Sequence, residues 1–322
     1  MRMYILVLFT IMILCLQIGN NIEITSICSQ DHTIITPNTN VYIFLTAIEH
    51  YDDAQDLDYA IDALDAFQEK VQHSIMSFTK KYNDDARPSQ WWTVEYGGSN
   101  MISDYNYVFF YGHDMAKESQ GPFDHTFIAF NTKDQPIEGQ PTNLVWLSAS
   151  WIEEYVDDKT RWITLASCKT LYLTDEGVDN FANNVFGGGS FEPEKVHLHG
   201  IVGMKTDWLD HWWWFGTIAT GKDTFERYGE LLKDHKSFKD AWFQAVYEKQ
   251  RKEIFGWVFW QGKAAVLYIV LEVCTPYYCF EVDYSLEGLE PYTYYLPYSP
   301  YQYHDPPYQS VVYMTLVYEY QS

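Results

Sequence analysis

Tyr107-Val-Phe-Phe-Tyr-Gly-His113 is an apolar run that ends in a histidine, and Trp162-Ile-Thr-Leu-Ala-Ser-Cys168 is an apolar run that ends in a cysteine. A strand that is buried on both faces is apolar at every position, and such strands are typical of parallel sheets covered by helices. The two ends are 168 − 113 = 55 residues apart, which leaves room for a loop, a helix and a return to the next parallel strand. Both runs therefore predict strands inside a parallel sheet.

Further strands and helices are predicted on either side of these runs. The predicted strands are 41–45, 91–96, 196–202 and 266–273, and the predicted helices are 53–80, 175–186, 224–233 and 237–252. The helix over 53–80 has the clearest pattern, because apolar residues recur at helical spacing from Leu57 to Phe78. Strands that alternate with helices predict an α/β fold, here a three-layer sandwich with a mainly parallel sheet.

The two ends of the chain differ in composition from its middle. Residues 1–19 contain Arg2 and then an apolar run from Tyr4 to Leu16, too short to span a bilayer as a helix; they predict a signal peptide, with an uncleaved anchor as the alternative. Residues 20–40 read as a linker and residues 41–275 as the α/β domain. Residues 276–322 hold 13 of the 27 Tyr and predict a Tyr/Pro-rich appendage that is extended or β in structure.

The composition excludes several classes of protein. A hydrophobic content of 47% is too high for a disordered chain, and five Cys are too few for a disulfide scaffold. The formal charge is 21 − 44 = −23, which argues against nucleic acid as a partner, because binding it requires clustered Lys and Arg. The same acid excess argues against membrane binding beyond the N-terminal segment. We therefore expect a protein that is soluble after processing, secreted or otherwise outside the cytosol.

His113 and Cys168 are the residues that predict a chemical function. Sites in open α/β sheets form beyond the carboxyl ends of the strands, so adjacent strands would bring both side chains to one edge. A cysteine thiolate is a strong nucleophile, and a nearby imidazole can take its proton and later protonate a leaving amine. This pair is therefore the candidate catalytic dyad, with a polypeptide as substrate. Inert packing of the cysteine at a strand end is the alternative.

Four segments resemble the caspase–gingipain–legumain superfamily of cysteine peptidases. They are Asp104–His113, Arg161–Cys168, Leu198–Met204 and Phe238–Ala245, and they occur in the order expected of that superfamily. Within it, they are most similar to a family of secreted caspase-like proteins from microbes. The resemblance implies a caspase-like sheet, a cysteine endopeptidase activity, and the dyad Cys168 and His113.

The resemblance also implies an oxyanion site formed by the backbone N–H groups of Asp114 and Cys168. Asp114 departs from the family pattern, which has Gly after the histidine. A carboxylate close to a developing negative charge would raise the barrier unless its side chain turns away. Alternatively, Asp114 would hold His113 charged and favour the thiolate. The alternative function is therefore a catalytically silent caspase-like module that binds a protein or a glycan.

Other candidate residues follow from their positions in the chain. Asp175, Asp207 and Asp210 come after strand ends, where acidic groups would select a basic substrate side chain. Cys274 and Cys279 flank a four-residue loop between strand-like segments, which suggests a hairpin disulfide in an exported protein. No His, Cys and acidic residues have the spacing of a metal site, so neither a metal nor another cofactor is expected.

Overall fold

The structure, a computed structural model, describes residues 41–52, 54–72, 76–91, 99, 101–113, 126–131, 144–147, 159–175, 178, 198–212, 218–234, 236–274, 279–283 and 311–321. In chain order the strands are β1 (Val41–Ala47), β2 (Met76–Tyr82), β3 (Tyr107–Tyr111), β4 (Thr126–Ala129), β5 (Leu144–Leu147), β6 (Trp162–Ala166), β7 (Gly200–Met204), β8 (Arg251–Ile254), β9 (Trp257–Gln261), β10 (Ala264–Cys274), β11 (Cys279–Asp283) and β12 (Val311–Tyr320). The helices of more than one turn are α1 (Ala60–Val71), α2 (Thr220–Lys233) and α3 (Phe238–Lys249).

The main sheet has eight strands and is mostly parallel. Its order is β11-β10-β7-β6-β3-β1-β2, and β12 also pairs with β10. Five strands run in parallel: β2, β1, β3, β6 and β7, in the order of the sheet. Strand β10 is antiparallel to β7 and to its other partners, β11 and β12. The predicted α/β fold class with a mainly parallel sheet is therefore confirmed, and the β structure predicted near the C-terminus forms part of this sheet.

The strand β3 shows why its sequence is apolar throughout. All five of its side chains are buried. Phe109 lies on the face covered by the helices, where its ring centroid is 4.5 Å from that of Phe67 in α1. Phe110 lies on the opposite face, 5.5 Å from the ring of Phe130. Successive residues thus fill two separate hydrophobic clusters, as expected for a strand with a core on each side.

The helix predicted over 53–80 is wrong in its extent. The helix begins at Ala60 and ends at Val71, and the backbone of Gln72 is already extended, with ψ 124°. Residues 76–82 instead form β2, which pairs in parallel with the whole of β1. The apolar residues near the end of the segment matched the helical period by coincidence, and pairing with the edge of β1 overrode that local pattern.

The other element predictions that fall on described residues are confirmed in place but shifted at their ends. β7 starts at Gly200 instead of 196, and α2 starts at Thr220 instead of 224. Helix α3 is capped by Ser237, whose hydroxyl accepts from the Asp240 N–H at 3.1 Å, but it ends at Lys249, so Arg251 and Lys252 belong to β8. The strand predicted over 91–96 and most of the helix predicted over 175–186 lie outside the described residues.

Candidate active site

His113 and Cys168 follow two strands that are neighbours in the sheet. Strands β3 and β6 pair in parallel with Tyr111 opposite Ala166. The pairing continues one residue further, because the N–H of Gly112 donates to the carbonyl of Ala166 at 3.3 Å. Each reactive residue comes two positions after the end of its strand. The topology therefore brings the two predicted residues to the same edge of the sheet, on adjacent strands.

Three contacts fix the position of His113. Its backbone N–H donates to the hydroxyl of Tyr51 at 2.9 Å, and its carbonyl accepts from the N–H of Ala129 at 3.0 Å. The Tyr51 ring also lies against the imidazole, with ring centroids 4.7 Å apart. Burial raises the pKa of Tyr51, so this phenol stays neutral and can donate onward to the carbonyl of Ala129 at 3.2 Å. The histidine is thus held through both its backbone and its ring.

The imidazole of His113 also binds the loop that follows β1. Its Nε2 lies 2.5 Å from the carbonyl oxygen of Gln55. A carbonyl oxygen only accepts hydrogen bonds, so this contact places the proton of the neutral imidazole on Nε2. In the neutral ring Nδ1 then carries the lone pair and is the nitrogen that can accept a proton. The contact with Gln55 therefore sets the tautomer that a general base requires.

The loop that carries Gln55 is itself held by Asp56. The carboxylate of Asp56 accepts from the backbone N–H of Tyr51 at 3.1 Å and lies 3.3 Å from Nδ1 of His50. These two hydrogen bonds lower the pKa of Asp56, that from Tyr51 contributing most. Next in the chain, the N–H of Leu57 donates to the carbonyl of Glu49 at 2.8 Å. The acidic side chain thus closes the turn that presents the Gln55 carbonyl.

The thiol of Cys168 is half-buried and faces the segment that follows β7. The backbone N–H of Trp208 donates to Sγ of Cys168 at 3.2 Å. A hydrogen bond to sulfur stabilises the thiolate relative to the thiol, because the donor interacts more strongly with the charged form. The thiol can in turn donate to the carbonyl of the same Trp208 at 3.8 Å, so this segment can bind the cysteine in either protonation state.

The residue after the cysteine adopts an unusual backbone conformation. Lys169 has φ 50°, a left-handed value that only a few per cent of residues other than glycine adopt. Its N–H donates to the carbonyl of Thr206 at 2.9 Å. One residue further on, the hydroxyl of Thr170 donates to the carbonyl of Leu165 at 3.1 Å and accepts from the N–H of Met204 at 3.1 Å. These bonds hold a sharp turn that places Cys168 at the end of β6.

A buried tyrosine–aspartate pair lies next to the cysteine. The hydroxyl of Tyr111 donates to Oδ1 of Asp210 at 2.6 Å. Burial, the Asp210 carboxylate and, to a smaller extent, the charge of Cys168 raise the pKa of Tyr111 well above its usual range. The other oxygen of Asp210 accepts from the N–H of Asp58 at 2.8 Å and lies 3.2 Å from Nδ1 of His211. Asp210 therefore joins β3, the loop after β1 and the segment after β7.

The three residues predicted to select the substrate occupy different environments. Asp210 is buried and bound as described above. Asp207 is exposed and forms an ion pair with Lys169 at 3.3 Å, one residue from the cysteine. Asp175 is exposed at the start of a helical turn. The selection of substrate by these side chains stays a prediction.

The predicted oxyanion site includes Asp114, which lies outside the described residues.

The predicted disulfide is consistent with the backbone, since Cys274 and Cys279 stand opposite each other where β10 pairs with β11. Directly opposed residues of an antiparallel pair have Cα atoms about 4.5–5.5 Å apart, within the range that a disulfide spans. Within the described part of the chain, no group of three or more His, Cys, Asp or Glu residues could hold a metal ion.

Four residues of the site were not found from the sequence: Tyr51, Gln55, Tyr111 and Trp208. Two of them act through the backbone, the carbonyl of Gln55 and the N–H of Trp208, so no side-chain motif marks them. The rule that sites form at the carboxyl ends of parallel strands would have directed attention to the loop after β1. It would not have chosen Gln55 within that loop.

Comparison with known proteins finds similar solved structures. The chain is similar to the crystal structure of the Drosophila initiator caspase Dronc, with a TM-score of 0.36 and 10% sequence identity over 70% of this chain and 79% of that chain. No family model matches the sequence. No curated protein matches it either.

Proposed function

We propose that this chain is an exported, caspase-like cysteine endopeptidase. The observation that carries the proposal is the placement of His113 and Cys168 after adjacent parallel strands, with the Nε2 of the imidazole bound to the Gln55 carbonyl. That arrangement leaves Nδ1 as the base, and the turn at Lys169 presents the thiol at the same edge. Nucleophilic acyl transfer needs a thiol and an oriented imidazole within reach of each other, and adjacent strand ends can supply both.

The first half of the reaction forms a covalent intermediate. Nδ1 of His113 takes the proton of the Cys168 thiol, and the sulfur attacks the scissile carbonyl carbon of the peptide. The N–H groups of Asp114 and Cys168 would bind the oxygen that becomes negative. When the C–N bond breaks, the imidazolium returns its proton to the leaving amine. The product of this half is a thioester between Cys168 and the acyl fragment.

The second half consumes one water molecule and restores the enzyme. His113 takes a proton from the water, and the resulting hydroxide attacks the thioester carbonyl. The C–S bond breaks, the carboxylic acid is released, and the sulfur leaves as a thiolate that the Trp208 N–H stabilises. The imidazolium of His113 then returns its proton to the sulfur, which regenerates the thiol and the neutral imidazole. General acid–base action of this kind contributes about 10²–10⁴ in rate.

We infer that a substrate of this site carries a basic side chain near the cleaved bond. The exposed acids Asp56 and Asp58 lie in the loop that binds His113, and Asp207 lies one residue from the Trp208 that binds Cys168. Opposite charges at the rim would raise the local concentration of a basic peptide and favour its binding. This is the substrate preference that the acidic composition of the whole chain also suggests.

A silent caspase-like module that binds a protein or a glycan is the second candidate. Asp114 favours it, because a carboxylate directly after His113 would oppose the developing oxyanion. The Asp210 carboxylate, which lies with Tyr111 next to Cys168, would also disfavour a thiolate. The two candidates differ in whether the dyad turns over.

A fluorogenic peptide library, incubated with the secreted protein, distinguishes the two candidates. We expect cleavage after Lys or Arg, and a loss of at least about 10³-fold in Cys168→Ala and about 10²-fold in His113→Gln. Cys28→Ala is the matched control, because it removes another thiol of the same chain and should retain activity.

Alkylation separates the remaining outcomes. Iodoacetamide should modify Cys168, and a peptide aldehyde ending in Arg should protect it. Modification without any cleavage would support the silent module and contradict the peptidase. A reaction that proceeds equally in Cys168→Ala would remove the dyad from the mechanism altogether.

Export is a separate part of the proposal and rests on residues 1–19. N-terminal sequencing of the secreted protein should show that this segment has been removed. Intact residues 1–19 on a membrane-bound protein would support the anchor instead. Within the described ranges, no helix is long and apolar enough to cross a membrane.

A further inference from the structure

The hairpin formed by β8 and β9 presents large apolar side chains to solvent. Phe255 is 95% exposed, Trp257 75%, Phe259 58% and Val258 50%. The two strands pair with each other and form a sheet of their own, separate from the main sheet. A Cβ atom built on Gly256 would have no atom within 4 Å, so the turn projects into open space. The hairpin therefore displays these side chains instead of packing them.

The turn of this hairpin begins with Phe255, a residue type that is unfavourable at that position. Ile254 pairs with Trp257, so the loop consists of Phe255 and Gly256, with φ values of 51° and 81°. Two positive φ values are characteristic of a type I′ turn, in which Asn, Asp or Gly is preferred at the first position. A bulky residue there is an outlier. Phe255 therefore opposes the turn and buries almost nothing in the fold, which indicates selection for a contact outside the chain.

The sequence of the hairpin and its flanks carries a charge opposite in sign to that of the whole chain. Residues 249–263 contain four basic residues and one acidic residue, a net charge of 4 − 1 = +3, whereas the whole chain carries −23. Arg251 is partly neutralised by Glu253 at 3.0 Å, and burial lowers the pKa of the half-buried Lys252, whereas Lys249 at the end of α3 is partly exposed. Aromatic side chains above a cationic base match the headgroup region of an anionic membrane, where rings sit at the interface and Lys or Arg meets the phosphates.

The size and shape of the tip argue against a protein partner of ordinary size. Its four exposed side chains offer roughly 500 Å², given that a large aromatic side chain presents about 150–250 Å². A stable protein interface needs about 800 Å² on each side. A narrow projecting turn is also a poor match to a flat protein surface, but it enters a lipid headgroup layer without needing a complementary shape.

We propose that the β8–β9 hairpin binds anionic lipid bilayers by inserting Phe255 and Trp257 into the headgroup layer. The expectation of no membrane surface rested on the charge of the whole chain, whereas the hairpin is locally cationic. This contact is independent of the dyad, so Cys168→Ala should bind membranes as well as the unaltered chain does.

Phe255→Asn is the variant that tests the proposal. Asn suits the left-handed position better than Phe, so the midpoint of thermal unfolding should stay the same or rise. Flotation with vesicles containing about one-third phosphatidylserine should show binding weakened about tenfold, because the insertion of one large apolar side chain is lost. Tyr42→Ser, which removes an aromatic side chain 43% exposed on β1, is the control and should leave flotation unchanged.

Hydrogen exchange adds a local readout that the N-terminal apolar run cannot affect. Vesicles should slow amide exchange in a peptide covering 251–261, and high salt should reverse much of that protection. Unchanged exchange in that peptide, or equal flotation of Phe255→Asn, would overturn the proposal. A concentration-dependent dimer that Phe255→Asn dissociates would also overturn it and assign the tip to a second copy of this chain. A fall of more than about 5 °C in the unfolding midpoint of Phe255→Asn would show that the ring packs within the fold.

Discussion

At the scale of single residues, Asp56 is the side chain that holds the loop after β1 in the position from which it binds His113. Its carboxylate closes the turn that presents the Gln55 carbonyl to Nε2. We expect Asp56→Ala to lower kcat/KM about tenfold by misplacing the imidazole, with little change in stability because the side chain is exposed. Asp56→Asn should retain more activity, since its amide oxygen can still accept from the Tyr51 N–H.

The pKa of Asp56 determines how the stabilisation of this loop depends on pH. Hydrogen bonds from Tyr51 and His50 hold the pKa of Asp56 below its ordinary value of 3.8. The stabilisation of the loop by the Asp56 carboxylate is therefore fully present above pH 3.8. It is lost as the pH falls through the lowered pKa of Asp56 in the folded protein. Activity measured after brief exposure to acid and return to neutral pH should be unchanged. An alanine variant as active as the parent would show that the loop holds His113 without Asp56.

A second residue-scale prediction concerns the close approach of Gly221 to Tyr111. A Cβ atom on Gly221 would overlap the Tyr111 hydroxyl. Gly221→Ala should lower the free energy of unfolding by about 2 kcal/mol, because the overlap forces the Tyr111–Asp210 bond apart. Tyr111→Phe removes the clashing oxygen, so a double-mutant cycle should show a coupling of about 1 kcal/mol or more. Additive effects in urea unfolding would contradict the proposed overlap.

At the scale of elements, ion pairs link the three helices to one another. Lys70 of α1 lies 3.1 Å from Glu230 of α2, and Arg227 of α2 lies 2.7 Å from Glu248 of α3. Each carboxylate has its pKa lowered, Glu230 chiefly by Lys70 and Glu248 chiefly by Arg227. Stability from a lowered carboxyl pKa is present above the ordinary value of 4.5 and disappears as the pH falls through the folded value.

The measurement for these helix contacts is urea unfolding of Glu248→Gln against the parent. At neutral pH the variant should be less stable, by under about 1 kcal/mol because the pair is still partly open to solvent. The difference should shrink below pH 4.5 as Glu248 of the parent becomes protonated, and it should also shrink in high salt. A difference that is constant across this pH range would show that the amide disturbs packing instead of charge.

The same elements show what the sequence could and could not predict. Strands β3 and β6 are buried on both faces, so every residue carries the signal, and each strand covers the continuously apolar part of its run. Strand β2 is only half-buried and has a mixed burial pattern, so nothing in its sequence separated it from the helix before it. His113 and Cys168 could be selected as candidates because reactive side chains follow two clear strands, whereas Gln55 and Trp208 make their contacts through backbone atoms that every residue carries.

At the scale of the whole molecule, the C-terminal strand reaches back to the candidate site. Strand β12 pairs with β10 along ten residues, from Val311 to Tyr320. Near its end, the hydroxyl of Tyr318 donates to the carbonyl of Leu171 at 2.5 Å, three residues after the cysteine. Burial raises the pKa of Tyr318 to about 12, so this hydroxyl remains a donor throughout the neutral range. The end of the chain therefore supports the turn that presents Cys168.

The predicted disulfide between Cys274 and Cys279 tests the compartment of the whole protein. The two residues are opposite each other in β10 and β11, and closing so short a loop should stabilise the fold by about 2 kcal/mol. Secreted protein should therefore unfold at a lower temperature after reduction. The double variant Cys274→Ser/Cys279→Ser should show the same lowered unfolding temperature without reductant. Peptide mapping under non-reducing conditions should find the linked pair, with Cys168 as an alkylated thiol in the same sample. Alkylation of Cys274 and Cys279 as well as Cys168 in secreted protein would contradict the bridge, because an oxidising compartment would have closed a pair already held in register.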